Sequence, residues 1–280
     1  MADGGHLVVA GIDALGPTHG RLLFAVGVFD GIHRGHAYLL GELRRAARRL
    51  RARPAVVTFD AHPDELLVGI APPLVCDPDE RLVRLDGAGV AVTVVQHFDD
   101  ALRRTPYDAF VAALGRRVDL AGFVMTPDAA LGHRRAGTPE ALAALGAREG
   151  FAVVVVPALD LGGRAVRSSE IRVQVAAGDL DEAVRLLGRP YAVAGRRVGD
   201  VTRPEDPARV TLAFDLPVAL PPAGAYRATI EAAWAPGLPH RAGVVRGRAI
   251  VEPDGSLAIR AAHPLPPGGR LRVAFVEAGE

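Results

Sequence analysis

From about residue 22 to residue 188, short β-branched and apolar runs alternate with longer segments whose apolar residues recur every three or four positions. The runs predict strands over 22–28, 55–59 (AVVTF), 90–95 (VAVTVV), 121–125 and 152–156 (AVVVV). Helical spacing covers 37–51, a short stretch at 79–86, the segment opened by TPYDAFVAAL, and 138–149. Two of these open on Thr-Pro, so Thr105 and Thr138 are the expected N-caps, with Pro106 and Pro139 at the first helical positions. Near-continuous apolar strands separated by helices require cover on both faces, which predicts a parallel, doubly wound α/β sheet of Rossmann-like type.

The pattern changes twice after that sheet. Over 168–187, Ser-Ser-Glu opens a helix, Gly178 stops it, and Asp179 caps a second helix that ends at Gly188. From about residue 190, Pro and Gly punctuate short runs at 210–214, 226–233, 243–251, 256–261 and 271–276. Turn signals at that spacing predict a small antiparallel barrel or sandwich. Two domains are therefore expected, 1–188 and 189–280.

Composition narrows the chemistry. The chain has 280 residues, 49% hydrophobic and 23% charged, with a net charge of +1. So balanced a charge creates no bulk field for nucleic acid or an anionic membrane. All 33 basic residues are Arg, and the chain contains neither Lys nor Asn. A P-loop lysine is thereby excluded, and any phosphate must be held by Arg, His, hydroxyls or backbone N–H groups. One cysteine, Cys76, excludes a disulfide framework and a cysteine zinc cluster. The first residues lack a signal-peptide pattern, and no apolar run approaches the ~20 residues that cross a bilayer, so a cytoplasmic protein is expected.

The chemistry concentrates in residues 25–40, AVGVFDGIHRGHAYLL. In a doubly wound sheet, ligands bind beyond the carboxyl ends of the strands, so the loop after the first strand is well placed for a site. Gly27 and Gly31 let backbone approach a ligand, Gly35 relieves crowding, and the helix N-terminus attracts phosphate. His33 and His36 then project where a phosphorus centre gains charge on its oxygens. The same two imidazoles could form an i, i+3 metal pair, although no Cys or Glu stands close by in sequence to complete it. The arginine run from Arg44 to Arg53 has the spacing of a solvated helix face.

The His-x-Gly-His string resembles the signature of the nucleotidylyltransferase superfamily. GVFDGIHRGHAYLL, TFDAHPDELL (58–67), RSSEIR (167–172) and GDLDEAVRLLGRPYAVAGRRVGD together resemble the bacterial riboflavin kinase/FAD synthetase family, over residues from about 7 to 200. The resemblance implies transfer of AMP from ATP to FMN, giving FAD and pyrophosphate with Mg²⁺ held by phosphates and water. It implies His33, His36 and Arg172 as catalytic residues. Gly27, Phe29, Asp30, Gly35, Ser168 and Ser169 would bind ATP; His62, Asp128 and Arg135 would bind the flavin. No protein side chains are expected to bind the metal by themselves.

Two departures accompany the match. The family's Gly-x-Asp-Phe-x-Phe-Gly segment corresponds to TPDAALGHRRAGT (126–138), where Ala129 and Leu131 replace the aromatics. The kinase motif Gly-Phe-Pro-Thr-Ala-Asn is absent, so riboflavin phosphorylation is expected to be lost. The alternatives are a flavin- or nucleotide-binding protein without turnover, or transfer to a different phosphorylated acceptor.

Overall fold

The computed structural model describes residues 5–198, 209–237 and 243–276. The chain divides into two compact units, one of residues 1–29, 35–72 and 84–165, the other of residues 30–34, 73–83 and 166–280.

The first unit is built on six parallel strands: β1 (Leu7–Ala10), β2 (Arg21–Val26), β3 (Arg53–Phe59), β4 (Val92–Gln96), β5 (Asp119–Met125) and β6 (Ala152–Val155). Their order is β1-β4-β3-β2-β5-β6. The chain builds outward from β2 through β3 and β4, then returns to β2's other side at β5, so the winding reverses between β2 and β5. Such a reversal opens a crevice at the carboxyl ends of the strands. Along β2, Leu22 and Phe24 point to one face while Leu23 and Ala25 point to the other, and all four are buried. A strand buried on both faces needs helical cover on both. Around it run α1 (Arg34–Arg49), α2 (Pro63–Val68), α3 (Pro78–Gly87), α4 (Asp100–Arg104), α5 (Tyr107–Gly115) and α6 (Pro139–Glu149). One core cluster joins Leu22, Phe24, Val57 and Val94 to Phe110 and Leu114 of α5 and Leu142 of α6. Phe123 meets Phe151 edge-on, with centroids 5.7 Å apart.

The second unit holds α7 (Ser168–Ala177), α8 (Leu180–Leu187) and a closed antiparallel barrel. Its strands are β7 (Ala192–Val198), β8 (Arg209–Ala213), β9 (Gly224–Ala232), β10 (Val245–Val251), β11 (Leu257–Ala261) and β12 (Arg270–Phe275), in the order β10-β11-β8-β7-β12-β9. Closure leaves no strand edge unpaired. Tyr191 stacks on Phe275 at 5.9 Å, and Tyr226 meets the same ring edge-on at 5.6 Å.

Both predicted architectures are present, with four local corrections. β1 was not expected: it is a four-residue edge strand, apolar in sequence but mostly exposed. β7 was not expected either, and it supplies the sixth strand of the barrel. The first strand ends at Val26 and its helix starts at Arg34, so Gly35 and His36 belong to the helix. Thr105 is no N-cap: its hydroxyl donates to the Ala101 carbonyl and closes α4, while Pro106 is the residue that precedes α5. Thr138 does cap α6, its Oγ1 accepting from the Ala141 N–H.

Gly122 marks the tightest point of the sheet. Its φ is +137°, and a Cβ there would stand 1.8 Å from the Ala152 carbonyl oxygen. Gly122→Ala is expected to destabilise the first unit by about 2 kcal/mol or more, read as a lower urea midpoint at unchanged slope.

Candidate active site

The loop between β2 and α1 carries the site and is conformationally strained. Phe29 and Ile32 adopt left-handed φ values of 53° and 35°, a region that L-residues with side chains occupy only where the surroundings enforce it. In the second unit the enforcing group is Asp30. Its carboxylate, 2% exposed, accepts from the Val75 N–H on both oxygens at 3.0 Å and from the Cys76 N–H at 3.0 Å. Arg172 of α7 adds a charged bond from Nη2 to Asp30 Oδ2 at 2.7 Å, and its Nε donates to the Pro73 carbonyl at 2.7 Å. Ser168 Oγ donates to the Asp30 carbonyl at 2.7 Å. Gly31 can only be glycine, because at φ +87° a Cβ would lie 2.9 Å from Val75 Cγ1. The two motifs that sequence reading singled out, the first loop and RSSEIR, therefore meet through one buried carboxylate.

His33 is 4% exposed and sits next to the positive charge of Arg189, which donates to the carbonyls of Ile32, at 3.0 Å, and Gly31. Burial first, and the Arg189 charge second, push its pKa down to about 3. At neutral pH it is an uncharged imidazole that donates one hydrogen bond. At the start of α7, no side chain caps the helix: Arg167 holds the N-cap position with no side-chain cap bond, and the first intrahelical bond is Ile171 N–H to Arg167 C=O. The N–H groups of Ser168, Ser169 and Glu170 thus precede the helical ladder, the arrangement that receives an anion. Arg172 spends its protein bonds on Nε and one Nη2 hydrogen, two of five donors.

In the first unit, His36 is the third residue of α1, and its ring packs on Phe29 at 5.1 Å. Gly27 lies beneath the same aromatic ring: a Cβ there would stand 3.4 Å from Phe29 Cε2. A cavity of about 730 Å³ opens at the carboxyl ends of β2 to β5, at the reversal of strand order. Its wall is apolar where Val26, Val28, Phe59, Phe98 and Leu131 line it, and cationic at Arg134 and Arg135. Phe59 and Phe98 form an edge-to-face pair with centroids 5.3 Å apart.

Of the three residues expected at a flavin, Arg135 lines this cavity. It also donates from Nη2 to the Asp128 carbonyl at 2.6 Å, while Thr126 Oγ1 donates to Asp128 Oδ1 at 2.7 Å. His62 works as the N-cap of α2, its Nδ1 accepting from the Asp64 N–H at 3.2 Å. Sequence reading missed Phe59 and Phe98, whose shared wall depends on β3 and β4 being neighbours. A further pair holds that wall. His97 Nδ1 lies 2.8 Å from Asp60 Oδ2, and the Phe98 N–H donates to Asp60 Oδ1 at 3.3 Å, so the residues flanking both aromatics are tied together. No group of three or more His, Cys, Asp or Glu among the described residues could hold a metal ion. Asp30, whose carboxylate is engaged by three protein donors, the N–H groups of Val75 and Cys76 and the Arg172 guanidinium, is not available as one ligand of such a group.

The first unit, a six-stranded parallel sheet with one reversal of strand order and helices between its strands, is of the doubly wound class. Residues 17–170 match the family described as FAD synthetase, and the chain belongs to that family. It is 33% identical over 192 residues to the bifunctional riboflavin kinase/FMN adenylyltransferase of Pseudomonas fluorescens, a match covering 68% of this chain and 61% of that protein. The same-named protein of Haemophilus influenzae is 32% identical over 173 residues, covering 61% and 56% respectively. The Escherichia coli K12 protein is 29% identical over 184 residues, covering 65% and 58%. The matches thus span about three fifths of these relatives' length. In fold, the chain is similar to the crystal structure of a macrolide-efflux protein from Streptococcus pneumoniae, with a TM-score of 0.77, 22% identity, and cover of 97% of this chain and 98% of that one.

The Asp60–His97 pair gives a pH test. The bond to Asp60 and its charge raise the His97 pKa above its ordinary value. Below the ordinary value both folded and unfolded chains carry the imidazolium, so the pair contributes in full; above the raised value neither does, and the contribution is gone. The melting-temperature gap between wild type and His97→Ala is expected to be small, as for any exposed pair, largest near about pH 6 and absent by about pH 9.

Proposed function

We propose that this protein is an FMN adenylyltransferase. An oxygen of the FMN phosphate attacks the α-phosphorus of ATP in line, the bond from that phosphorus to the bridging oxygen breaks, and FAD and pyrophosphate result. The observation that carries the reading is the joint anchoring of the Asp30–His33 loop by Ser168 and Arg172 from the uncapped start of α7.

Under this reading the triphosphate meets neutral His33, the first N–H groups of α7 and the remaining donors of Arg172. Ser168 and Asp30 act by holding the loop, since their polar atoms are bonded within the protein. In the first unit, His36 donates to phosphate from the first turn of α1, with Phe29 packed on its ring, and Gly27 and Gly35 admit the nucleotide backbone. These groups neutralise charge that develops on phosphate oxygens, and none forms a covalent bond to the substrate. Magnesium enters as part of the substrate MgATP, carried by phosphate oxygens and water.

FMN fits the first unit's cavity. A ring system of isoalloxazine size needs an apolar slot with aromatic faces, and Phe59 and Phe98 supply them in place of the aromatics lost at Ala129 and Leu131. Arg134 and Arg135 offer donors for the polar edge of the ring. Residues 1–188 then carry adenylyl transfer, and 189–280 are a kinase-like barrel without kinase chemistry. With no Asn in the chain, the Asn of the family's kinase motif has no counterpart. No described helix is long and apolar enough to cross a membrane, and the reading makes the protein a cytoplasmic enzyme of small-molecule substrates.

The test is incubation with MgATP and FMN, followed by chromatography for FAD and an assay for pyrophosphate. Wild type should make both in equal amounts, and His36→Ala should lower kcat by about a hundredfold. Absence of FAD in the wild type, or full activity in His36→Ala, contradicts the assignment; pyrophosphate release with another phosphorylated acceptor alone redirects it. Phe59→Ala should raise the Kd for FMN about fivefold, measured by flavin fluorescence, with the KM for ATP unchanged. Riboflavin plus MgATP should give no FMN, and conversion at an ordinary enzymatic rate would refute the loss of kinase activity.

A further inference from the structure

The barrel contains no Gly-Phe-Pro-Thr-Ala-Asn string, yet it carries a buried charge network. β12 presents Arg270 and Arg272, two residues apart and therefore on the same face of the strand. Arg272, 6% exposed, grips Glu80 with two bonds, Nε to Oε2 at 2.8 Å and Nη2 to Oε1 at 3.1 Å. Its Nη1 donates to Glu231 Oε1 at 2.7 Å, and the guanidinium lies 4.5 Å over the Trp234 ring. Arg270 donates to Asp77 and, at 2.8 Å, to Asp79. Asp77 Oδ1 in turn accepts from the Asp79 and Glu80 N–H groups at 3.0 and 3.3 Å.

Three of these four carboxylates, Asp77, Asp79 and Glu80, lie on one segment, Pro73 through the first turn of α3. Its other half is tied down as firmly. Leu74 pairs with Val218 in a parallel bridge, its N–H on the Pro217 carbonyl at 2.8 Å and its carbonyl accepting from Ala219 at 2.9 Å. The next two N–H groups, of Val75 and Cys76, are the ones that bind the Asp30 carboxylate, and the Pro73 carbonyl is the one that orients Arg172. A buried carboxylate such as Asp30 holds its position only as well as its donors hold theirs.

We infer that residues 73–80 are a strap by which the barrel holds the phosphate loop, with Arg272 and Arg270 as positioning residues for nucleotide binding. The ion pairs anchor the strap to β12, the strap's amides fix Asp30, and Asp30 fixes Arg172 and the turn leading to His33. This gives the barrel a task that needs no kinase chemistry. It rests on the reading of the His33–Arg172 group as the triphosphate site. The FMN cavity, lined by residues of the first unit alone, is the internal control.

The experiment is calorimetry of the full chain with a non-hydrolysable ATP analogue and Mg²⁺, beside flavin fluorescence for FMN, in wild type, Glu80→Gln, Arg272→Lys and Arg270→Gln. Glu80→Gln is expected to weaken the analogue about tenfold, Arg272→Lys about as much, and the half-exposed Arg270→Gln about threefold. FMN affinity should stay within twofold throughout. Should the buried substitutions prevent folding, Arg270→Gln decides alone. A folded variant set that binds the analogue within twofold of wild type overturns the inference. So does a parallel loss of both ligands with a lowered melting temperature, which marks general destabilisation. A wild type that binds the analogue but makes no FAD contradicts the assigned reaction and leaves the strap comparison valid.

Discussion

One buried carboxylate, that of Asp30, organises the loop between β2 and α1 and with it the proposed phosphate site. Asp30 is almost inaccessible to water, and an ionised group in that position persists only if several donors replace its hydration. Here the donors are two backbone N–H groups of the strap and the guanidinium of Arg172. The consequence is geometric. A loop with two residues in left-handed backbone is held in one conformation, and the histidine three residues after Asp30 acquires a fixed, dry environment. Pre-organisation of this kind is what electrostatic catalysis of phosphoryl and nucleotidyl transfer requires, because donors already in place need not reorient as charge develops.

The two proposed ligand regions use different physics. The proposed phosphate site is built from charged and backbone donors around a buried acid, where losing one partner strands another. The cavity of the first unit is built from apolar area and an aromatic pair, where losses are graded. Their backbone determinants differ as well. Gly31 is required by close contact with Val75, and Gly132, in the loop at the cavity, leaves no room for a Cβ against the Tyr107 backbone.

What the sequence disclosed and what it hid follow from contact range. The β2–α1 loop, the RSSEIR helix start and the strand-helix alternation are local patterns that periodicity located, although the loop is bounded a few residues earlier than the periodicity placed it and no side chain caps α7. β1 escaped notice because its apolar run, Leu7–Ala10, is only four residues long and stands at an exposed edge of the sheet. Thr105 misled because a hydroxyl before proline serves equally to end one helix or begin the next. The aromatic wall could not be read from the 126–138 segment, since its rings come from the ends of two other strands. Least legible of all was the strap: Arg272 and Glu80 are 192 positions apart, and an Arg in a barrel strand carries no mark of its partner.

The most direct measurement is steady-state formation of FAD from MgATP and FMN by Asp30→Asn. The amide keeps an oxygen for the strap's N–H groups but loses the charge that orients Arg172. The account predicts a fall in kcat/KM for ATP of about a hundredfold, with FMN binding intact and the chain folded. Turnover equal to wild type in a folded Asp30→Asn protein would contradict it.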